Sequence, residues 1–486
     1  MAPMKLAIVG AGPSAFYVAS RLLTLVPPSS ALASSINIHM YDRLWAPYGL
    51  VRYGVAPDHP EVKNCTHKFD ATARDPRLRF FGNVNIGDAS LIPDALPVPL
   101  ESLLSHYTHL LFASGSPVPT LHPALPPSPF CLPALSLVHW YTQHPSRPAA
   151  PPPLERTKHV TIIGQGNVAL DVARMLLTPP DHLARFDVPE PVLSVLRASA
   201  VEHVSVVGRR GPLQAAFTAK ELREMLRLPN AAMAPLPAAL LQPPPGVPTT
   251  RQQTRLLQLL SKGPDNAHGS APKSWALDFF RQPTGLLAPR APGNPSARPL
   301  LTLAHTALDA SHRAVPTGET SALHTDLVVT ALGHRAEPGA PWADGVVGGA
   351  HVRTRGARVV DAGGRLVRRV YASGWAAHGA RGVLATTMMD AYAAAETVLR
   401  DQFPDAFGGA DEAAEEEVEV LPRAVADLDA VPPEVVAGVE AGKVTQFGDW
   451  EKIDAEEVAR GKALDKERER MVSWQEAREF LARTRA

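Results

Sequence analysis

The chain alternates short apolar runs with stretches whose apolar positions recur at helical spacing. Lys5–Val9, Ile36–Tyr41, Val160–Ile163 and Val204–Val207 are apolar along most of their length, as strands of a parallel sheet buried on both faces are. Helical patterns begin near Ser14, run from Leu170 to Leu177, and continue to Leu228 from a start at Thr218. Strand followed by helix, repeated, predicts a parallel α/β fold. A chain of 486 residues exceeds what one hydrophobic core supports, so at least two domains are expected. The 49 prolines concentrate in Pro117–Pro153, Pro229–Pro248 and Pro283–Pro299. These read as surface loops or connectors, because proline lacks a backbone donor and stops helices.

Two strand-to-helix junctions carry the same glycine spacing. Leu6-Ala7-Ile8-Val9 runs into Gly10-Ala11-Gly12-Pro13-Ser14-Ala15, and Val160-Thr161-Ile162-Ile163 into Gly164-Gln165-Gly166-Asn167-Val168-Ala169. In a Rossmann unit the first glycine permits a tight turn and the second admits a pyrophosphate to backbone N–H groups. The small third residue lets helix and strand pack closely. Two such turns imply two dinucleotides.

The next strand after each turn distinguishes the two sites. The Ile36–Tyr41 strand ends in Asp42, placed to accept hydrogen bonds from adenosine ribose hydroxyls. The interval is longer than the usual span of about 20 residues, and the Pro27–Ser35 segment accounts for it as an inserted loop. The Val204–Val207 strand ends in Gly208-Arg209-Arg210. An acid there would repel a phosphate on the ribose, whereas paired guanidiniums attract it, so the second site is expected to prefer NADP. Glu221, in Thr218-Ala219-Lys220-Glu221, fits a capping box as well as a cofactor contact.

Composition narrows the class. Forty-eight basic and 48 acidic side chains cancel, which removes any global electrostatic reason to bind nucleic acid or an anionic membrane. No uninterrupted apolar stretch is long enough to cross a bilayer. Cys65 and Cys131 are the two cysteines, too far apart in sequence for a redox dithiol motif and too few for a cluster site. An electron carrier beyond hydride chemistry is then a bound organic cofactor. The first strand starts almost at once, leaving no presequence in view, and the acidic segment Asp411–Glu419 reads as a solvated loop or tail.

From Pro47-Tyr48-Gly49-Leu50-Val51-Arg52-Tyr53-Gly54-Val55-Ala56-Pro57-Asp58-His59-Pro60-Glu61-Val62-Lys63-Asn64 the chain resembles the adrenodoxin reductase family, the mitochondrial-type ferredoxin–NADP reductases. The resemblance continues through Gly164–Arg174, Gly208–Gln214, Phe217–Met225, Ser373-Gly374-Trp375, Gly382–Met388 and the tail from Asp449. It implies an FAD domain built from residues 1–115 and 330–486, with an NADP domain, 116–329, inserted into it, both Rossmann-like. Leu110–Gly115 and Leu327–Gly333 read as the strand-to-loop crossings at the insert's two ends.

By the same resemblance Gly10, Gly12, Ser14, Ala15, Asp42, Leu50, Ile86, Trp375, Gly382, Val383 and Leu384 would touch FAD. Gln165, Gly166, Asn167, Val168, Arg209, Arg210, Glu221 and Gly382 would touch NADP. Many related flavoprotein reductases carry Asp where this chain has Trp375. His59 and Asp171 are the candidates for tuning flavin protonation, although Asp171 also suits the early turns of a helix on electrostatic grounds alone.

The resemblance further implies that electrons pass from NADPH through FAD to a small [2Fe–2S] ferredoxin of the adrenodoxin kind, in mitochondria, for iron–sulfur assembly or sterol monooxygenases. Such ferredoxins are acidic, so docking calls for a local basic face. Arg223, Arg227, Arg251 and Arg255 are the candidates, the first two sharing a helix face at i, i+4 spacing. Two other classes fit less well. An amidotransferase-associated flavoprotein needs cysteine clusters that two cysteines cannot supply, and a flavin-binding sensor has no use for Arg209 and Arg210.

Replacing both Arg209 and Arg210 by Ala is expected to raise the KM for NADPH strongly and that for NADH little. With each charge-assisted contact worth about 1.5–3 kcal/mol, the lost preference amounts to about 10²–10⁴. Equal losses with the two cofactors in steady-state assays reject the assignment.

Overall fold

A computed structural model describes residues 2–88, 90–243, 248–289, 298–337, 346–408 and 416–485. The chain divides into two compact units: Met1–Val118 with Gln143–Ser146 and His334–Ala486, and Pro119–Thr142 with Arg147–Gly333. In chain order the second is inserted into the first. Each unit is an α/β layer structure of the Rossmann kind.

The first unit is built on a sheet whose parallel part runs, from one side to the other, Leu366–Ala372, His109–Phe112, Met4–Val9, Ile36–Asp42 and Leu78–Gly82. The first strand in sequence lies at the centre and the chain winds outward both ways, the doubly wound order of dinucleotide-binding folds. Every residue of Met4–Val9 and of Ile36–Asp42 is buried, which explains why apolar residues dominate both strands. Lys5, Asn37, His39 and Asp42 are the polar residues among them, and the Lys5 Nζ escapes along the stem to donate to the Asp427 carbonyl at 2.9 Å. The Pro13–Leu25 helix comes directly after the first strand and the Leu384–Gln402 helix packs beside it, joined by the Arg21–Glu396 ion pair at 2.5 Å.

The run from Pro47 to Asn64 is held from behind by the C-terminal Phe447–Ala463 helix. Arg52 forms a two-pronged contact with Glu457, at 2.9 and 2.7 Å, and both side chains are almost wholly buried. Glu457 also accepts from Arg468 at 3.1 Å and from the Met471 N–H at 2.9 Å. The Arg52 guanidinium lies 4.8 Å from the Trp450 ring centroid. A buried carboxylate is tolerated only with its lone pairs filled in this way.

The second unit repeats the plan. Its parallel sheet runs Ala231–Met233, Lys273–Asp278, His203–Val207, His159–Ile163, Leu327–Thr330 and Cys131–Pro133. The strand that carries the second glycine turn is again central. A three-stranded antiparallel sheet, Arg281–Leu287, Leu300–Leu308 and Ala314–His324, belongs to the same unit.

The proline-rich stretches are more structured than their composition suggests. Within Pro117–Pro153 the Cys131–Pro133 strand closes one edge of the second sheet, and the Ala134–Tyr141 helix buries Leu137, Val138 and Trp140. Pro133 caps that helix, and an edge strand pairs on one side only, so a missing N–H costs little there. Ala231–Met233 forms the opposite edge, and Pro283 sits inside a strand at a register shift. Of the acidic segment Asp411–Glu419, residues 411–415 lie outside the described residues, while Glu417–Val418 pairs with Leu366–Val367 as a short strand. The Leu327–Thr330 crossing belongs to the second unit's sheet, which the chain leaves after Gly333.

His39, midway along the Ile36–Asp42 strand of the first sheet, has no exposed surface. Its Nδ1 pairs with the Tyr107 hydroxyl at 2.8 Å, and that hydroxyl also bonds to Tyr41. Burial, reinforced by Arg79 and Lys5, lowers its pKa from 6.5 to about 3, so the fold holds it neutral. Above the unfolded value both states are uncharged and the site is neutral with respect to pH. As pH falls from 6.5 towards 3 the unfolded chain takes up a proton that the folded chain refuses. Stability should fall by about 1.4 kcal/mol per pH unit from this residue. His39→Gln is therefore expected to unfold more easily at pH 7 and to lose less on acidification. Urea midpoints that fall in parallel for both proteins between pH 7 and pH 5 contradict the assignment.

Candidate functional site

The two glycine turns have the same construction, contact for contact. In the first unit Gly10 N donates to the Tyr41 carbonyl at 2.7 Å, and Ala113 N donates to the Val9 carbonyl at 2.9 Å. In the second, Gly164 N donates to Val207 O at 2.8 Å and Ala331 N to Ile163 O at 2.8 Å. Gly10 and Gly164 have φ of +109° and +126°. A Cβ on Gly10 would stand 2.4 Å from the Ala113 carbonyl oxygen, and one on Gly164 would stand 2.2 Å from that of Ala331. Both positions admit only glycine. Around Gly12 and Gly166 nothing approaches within 4 Å of where a Cβ would sit, so each unit keeps an open cradle at a helix start, the end of a helix that favours an anion. Ala15 and Ala169 are fully buried where helix meets strand.

At the end of the second strand Asp42 is buried, accepting from Ala11 N at 2.6 Å and Leu44 N at 2.8 Å. Burial raises its pKa, and these two N–H groups and Arg43 oppose the rise. Asp42 thus fixes the turn as well as facing it, a role that strand-end position alone does not reveal. A small cavity of about 10 Å³ lies nearby, lined by Arg43, Ser114, Gly115, Glu337 and Ala376 among others, with Arg43 and Glu337 paired at 2.7 Å.

The other residues expected at a flavin fall in two groups. Leu50 and Val383 present apolar side chains that are 38% and 50% exposed, and Leu384 opens the Leu384–Gln402 helix. Ile86 is 2% exposed and packs into the core, so its side chain is committed to packing. Trp375 begins a short helix, donates from Nε1 to Arg381 O at 3.1 Å and stacks on His334 at 6.0 Å between centroids. At Gly382 a Cβ would meet Thr386 Oγ1 at 2.3 Å. Local capping geometry, in addition to any stacking of rings, excludes a side chain there.

In the second unit Gln165 folds inward, donating to Val206 O at 3.2 Å, and Asn167 Oδ1 accepts from Thr218 N at 2.8 Å. Val168 is half-buried. Arg209 and Arg210 are exposed, and among the described residues neither has a carboxylate partner. The capping box at Thr218 is half formed. Thr218 Oγ1 accepts from Glu221 N at 3.4 Å, but the Glu221 carboxylate turns to Arg174, 3.1 Å away. Arg174, 3% exposed, also pairs with Asp171 at 2.8 Å and Glu224 at 3.2 Å. It is the hub of this acidic group, and sequence reasoning alone misses it. Its i, i+3 spacing from Asp171 is the available signal. His59 is buried in the first unit, its N–H bonded to Ala56 O at 3.0 Å, and Asp171 lies in the second.

A scan of protein-family models finds none that matches the chain. Mitochondrial NADPH:adrenodoxin oxidoreductase of Bos taurus is 37% identical over 495 residues, covering 98% of this chain and 92% of that protein. NADPH-ferredoxin reductase FprA of Mycobacterium tuberculosis is 33% identical over 487 residues, covering 97% and 98%. The chain belongs to the adrenodoxin reductase family. Among solved structures of the family, Mycobacterium tuberculosis FprA in complex with NADPH matches with a TM-score of 0.80 and 30% identity, covering 99% of this chain and all of that one.

Replacing the buried hub, Arg174→Leu, strands three carboxylates that share its charge. A loss of about 3–5 kcal/mol is expected for breaking a buried ion pair by removing one partner. Urea denaturation checks it, and a change below about 1 kcal/mol, the scale of an exposed pair, would show that solvent already carries these charges.

Proposed function

We propose that this protein is an FAD-dependent NADPH:ferredoxin oxidoreductase, with FAD in the first unit and NADP(H) in the second. Supporting this are the two open glycine cradles, Asp42 behind the first, and the unpaired arginines 209 and 210 beside the second. When bound, FAD takes hydride from NADPH and can pass the electrons on singly, which suits a one-electron iron–sulfur acceptor. The chain's own residues position and shield. Gly10 to Ala15, Leu50, Trp375 and Gly382 to Leu384 hold FAD, Ile86 through its backbone, and Gln165 to Val168 with Glu221 flank the NADP cradle. His59 and Asp171 are assigned to tuning protonation near the reacting rings, not to a required acid–base step.

The acceptor is a small acidic [2Fe–2S] ferredoxin, adrenodoxin-like in this reading. Its docking face is a groove of about 300 Å³ in the second unit, lined by Arg223, Arg227, Arg255 and Lys262, with Asp265 as the one acid. Arg251 stands close by in sequence, at the first turn of the Arg251–Lys262 helix. A cation at that end opposes the helix dipole, a cost that a bound acidic partner offsets. Among the described residues none of the four arginines has a carboxylate partner within 4 Å. A mitochondrial setting, upstream of iron–sulfur assembly or sterol monooxygenation, is part of this proposal and draws its support from the mitochondrial relatives, while the similarity to a bacterial reductase leaves the ferredoxin chemistry as the shared element. No described helix is long and apolar enough to cross a membrane.

A ferredoxin-dependent cytochrome c reduction assay with NADPH against NADH tests the whole reading. A yellow protein that bleaches with NADPH and reduces cytochrome c only when ferredoxin is present supports it, and a colourless protein refutes it. Arg251→Glu with Arg255→Glu should slow ferredoxin reduction in a salt-dependent way while NADPH-to-ferricyanide turnover stays intact. Matching losses in both assays dismiss the groove as the docking face.

A further inference from the structure

Asp390 lies two turns into the Leu384–Gln402 helix, outside every motif that a dinucleotide turn requires. Helical side chains lean back towards the helix N-terminus, and this one reaches the Ser373-Gly374-Trp375 loop. Its Oδ2 accepts from Gly374 N at 2.6 Å and from Ser373 Oγ at 3.2 Å, and its Oδ1 meets His378 Nε2 at 2.5 Å. Ser373 Oγ in turn accepts from Ser14 Oγ at 2.8 Å, at the first glycine turn. Gly374, with φ of +63°, is pressed onto that serine, since a Cβ there would stand 2.7 Å from the Ser14 Cβ.

Three donors therefore converge on one side chain. Ser373 O–H and Gly374 N–H share one oxygen, and the histidine ring takes the other. A carboxylate suits this because it accepts at both oxygens and donates at neither. Through these bonds Asp390 connects the first glycine turn, the loop that carries Trp375, and the helix that starts at Leu384. Each of these three stretches holds residues assigned above to FAD. His378 is half-exposed and Asp390 more sheltered, with 27% of its side chain exposed, so the carboxylate sits between the loop and the ring with part of its surface still in water.

Resting on the functional reading above, we infer that Asp390 is a positioning residue for the flavin, fixing the Ser373-Gly374-Trp375 loop against Ser14. It touches no cofactor itself. Its contribution is to hold the loop in the bound conformation beforehand, so that binding does not have to order it.

The test uses the full chain stripped of FAD and titrated with it. Losing hydrogen bonds to a charged group should raise the FAD dissociation constant of D390A by about 10- to 100-fold. D390N, whose amide oxygen can still accept from Gly374 and Ser373 while its N–H₂ faces the histidine, should recover most of that loss. Binding of 2′,5′-ADP, a probe of the second unit, should be unchanged in both, and the visible flavin spectrum of saturated D390A should differ from that of the unsubstituted protein. Unchanged affinity and spectrum in D390A overturn the inference, as does an equal loss of 2′,5′-ADP binding, which would mark a folding defect. If D390A yields no folded protein, S373A carries the test, with a weaker loss of the same sign expected and wild-type affinity overturning it. Failure of the unsubstituted chain to bind FAD at all sinks the functional reading itself.

Discussion

A backbone carbonyl pressed against a glycine is the constraint on which the rest of each unit depends. The Ala113 oxygen leaves no room for a side chain at residue 10, and the Ala331 oxygen leaves none at residue 164. Each contact requires its glycine strand to sit directly beside the strand that ends at that carbonyl. That adjacency puts the glycine strand in the middle of its sheet and aims the next helix, N-terminus first, at the same edge. A positive φ, a central strand and an open cradle are thus one geometric fact seen at three scales.

Much of this is readable from the chain. The apolar runs mark both central strands, and the repeated glycine spacing marks both turns, because sterics at these points allow few residues. Cys131–Pro133 and the Ala134–Tyr141 helix are not readable, since edge strands and capped helix starts tolerate proline that interior positions forbid. Composition counts prolines without knowing which N–H groups would have been used. The side-chain networks are hidden for a related reason. Arg174 and Asp390 act through partners distant in sequence, Glu221 and Gly374 among them, and only folding brings these together. Ile86 carries a further lesson, because its place in a motif says nothing about whether side chain or backbone is presented.

Charge is distributed with a consistent logic across the two units. Buried ions are surrounded: Glu457 by Arg52 and Arg468, Asp42 by backbone N–H groups, and Arg174 by Asp171, Glu221 and Glu224. The arginines at 209, 210, 223, 227, 251 and 255, mostly exposed, have no acidic partner among the described residues. Balanced totals of 48 and 48 conceal this segregation. The interior settles its own electrostatics, while selected parts of the surface are left with positive charge for an anion to meet.

The fork between Arg52 and Glu457 has an implication for the order in which a ribosome delivers this protein. Arg52 emerges early, yet the carboxylate that neutralises it is synthesised only after the whole inserted unit has left the tunnel. Until then the guanidinium must stay hydrated and the surrounding aromatic pocket cannot close. The nascent amino-terminal half therefore lacks, until its far end arrives, the carboxylate that a buried Arg52 requires.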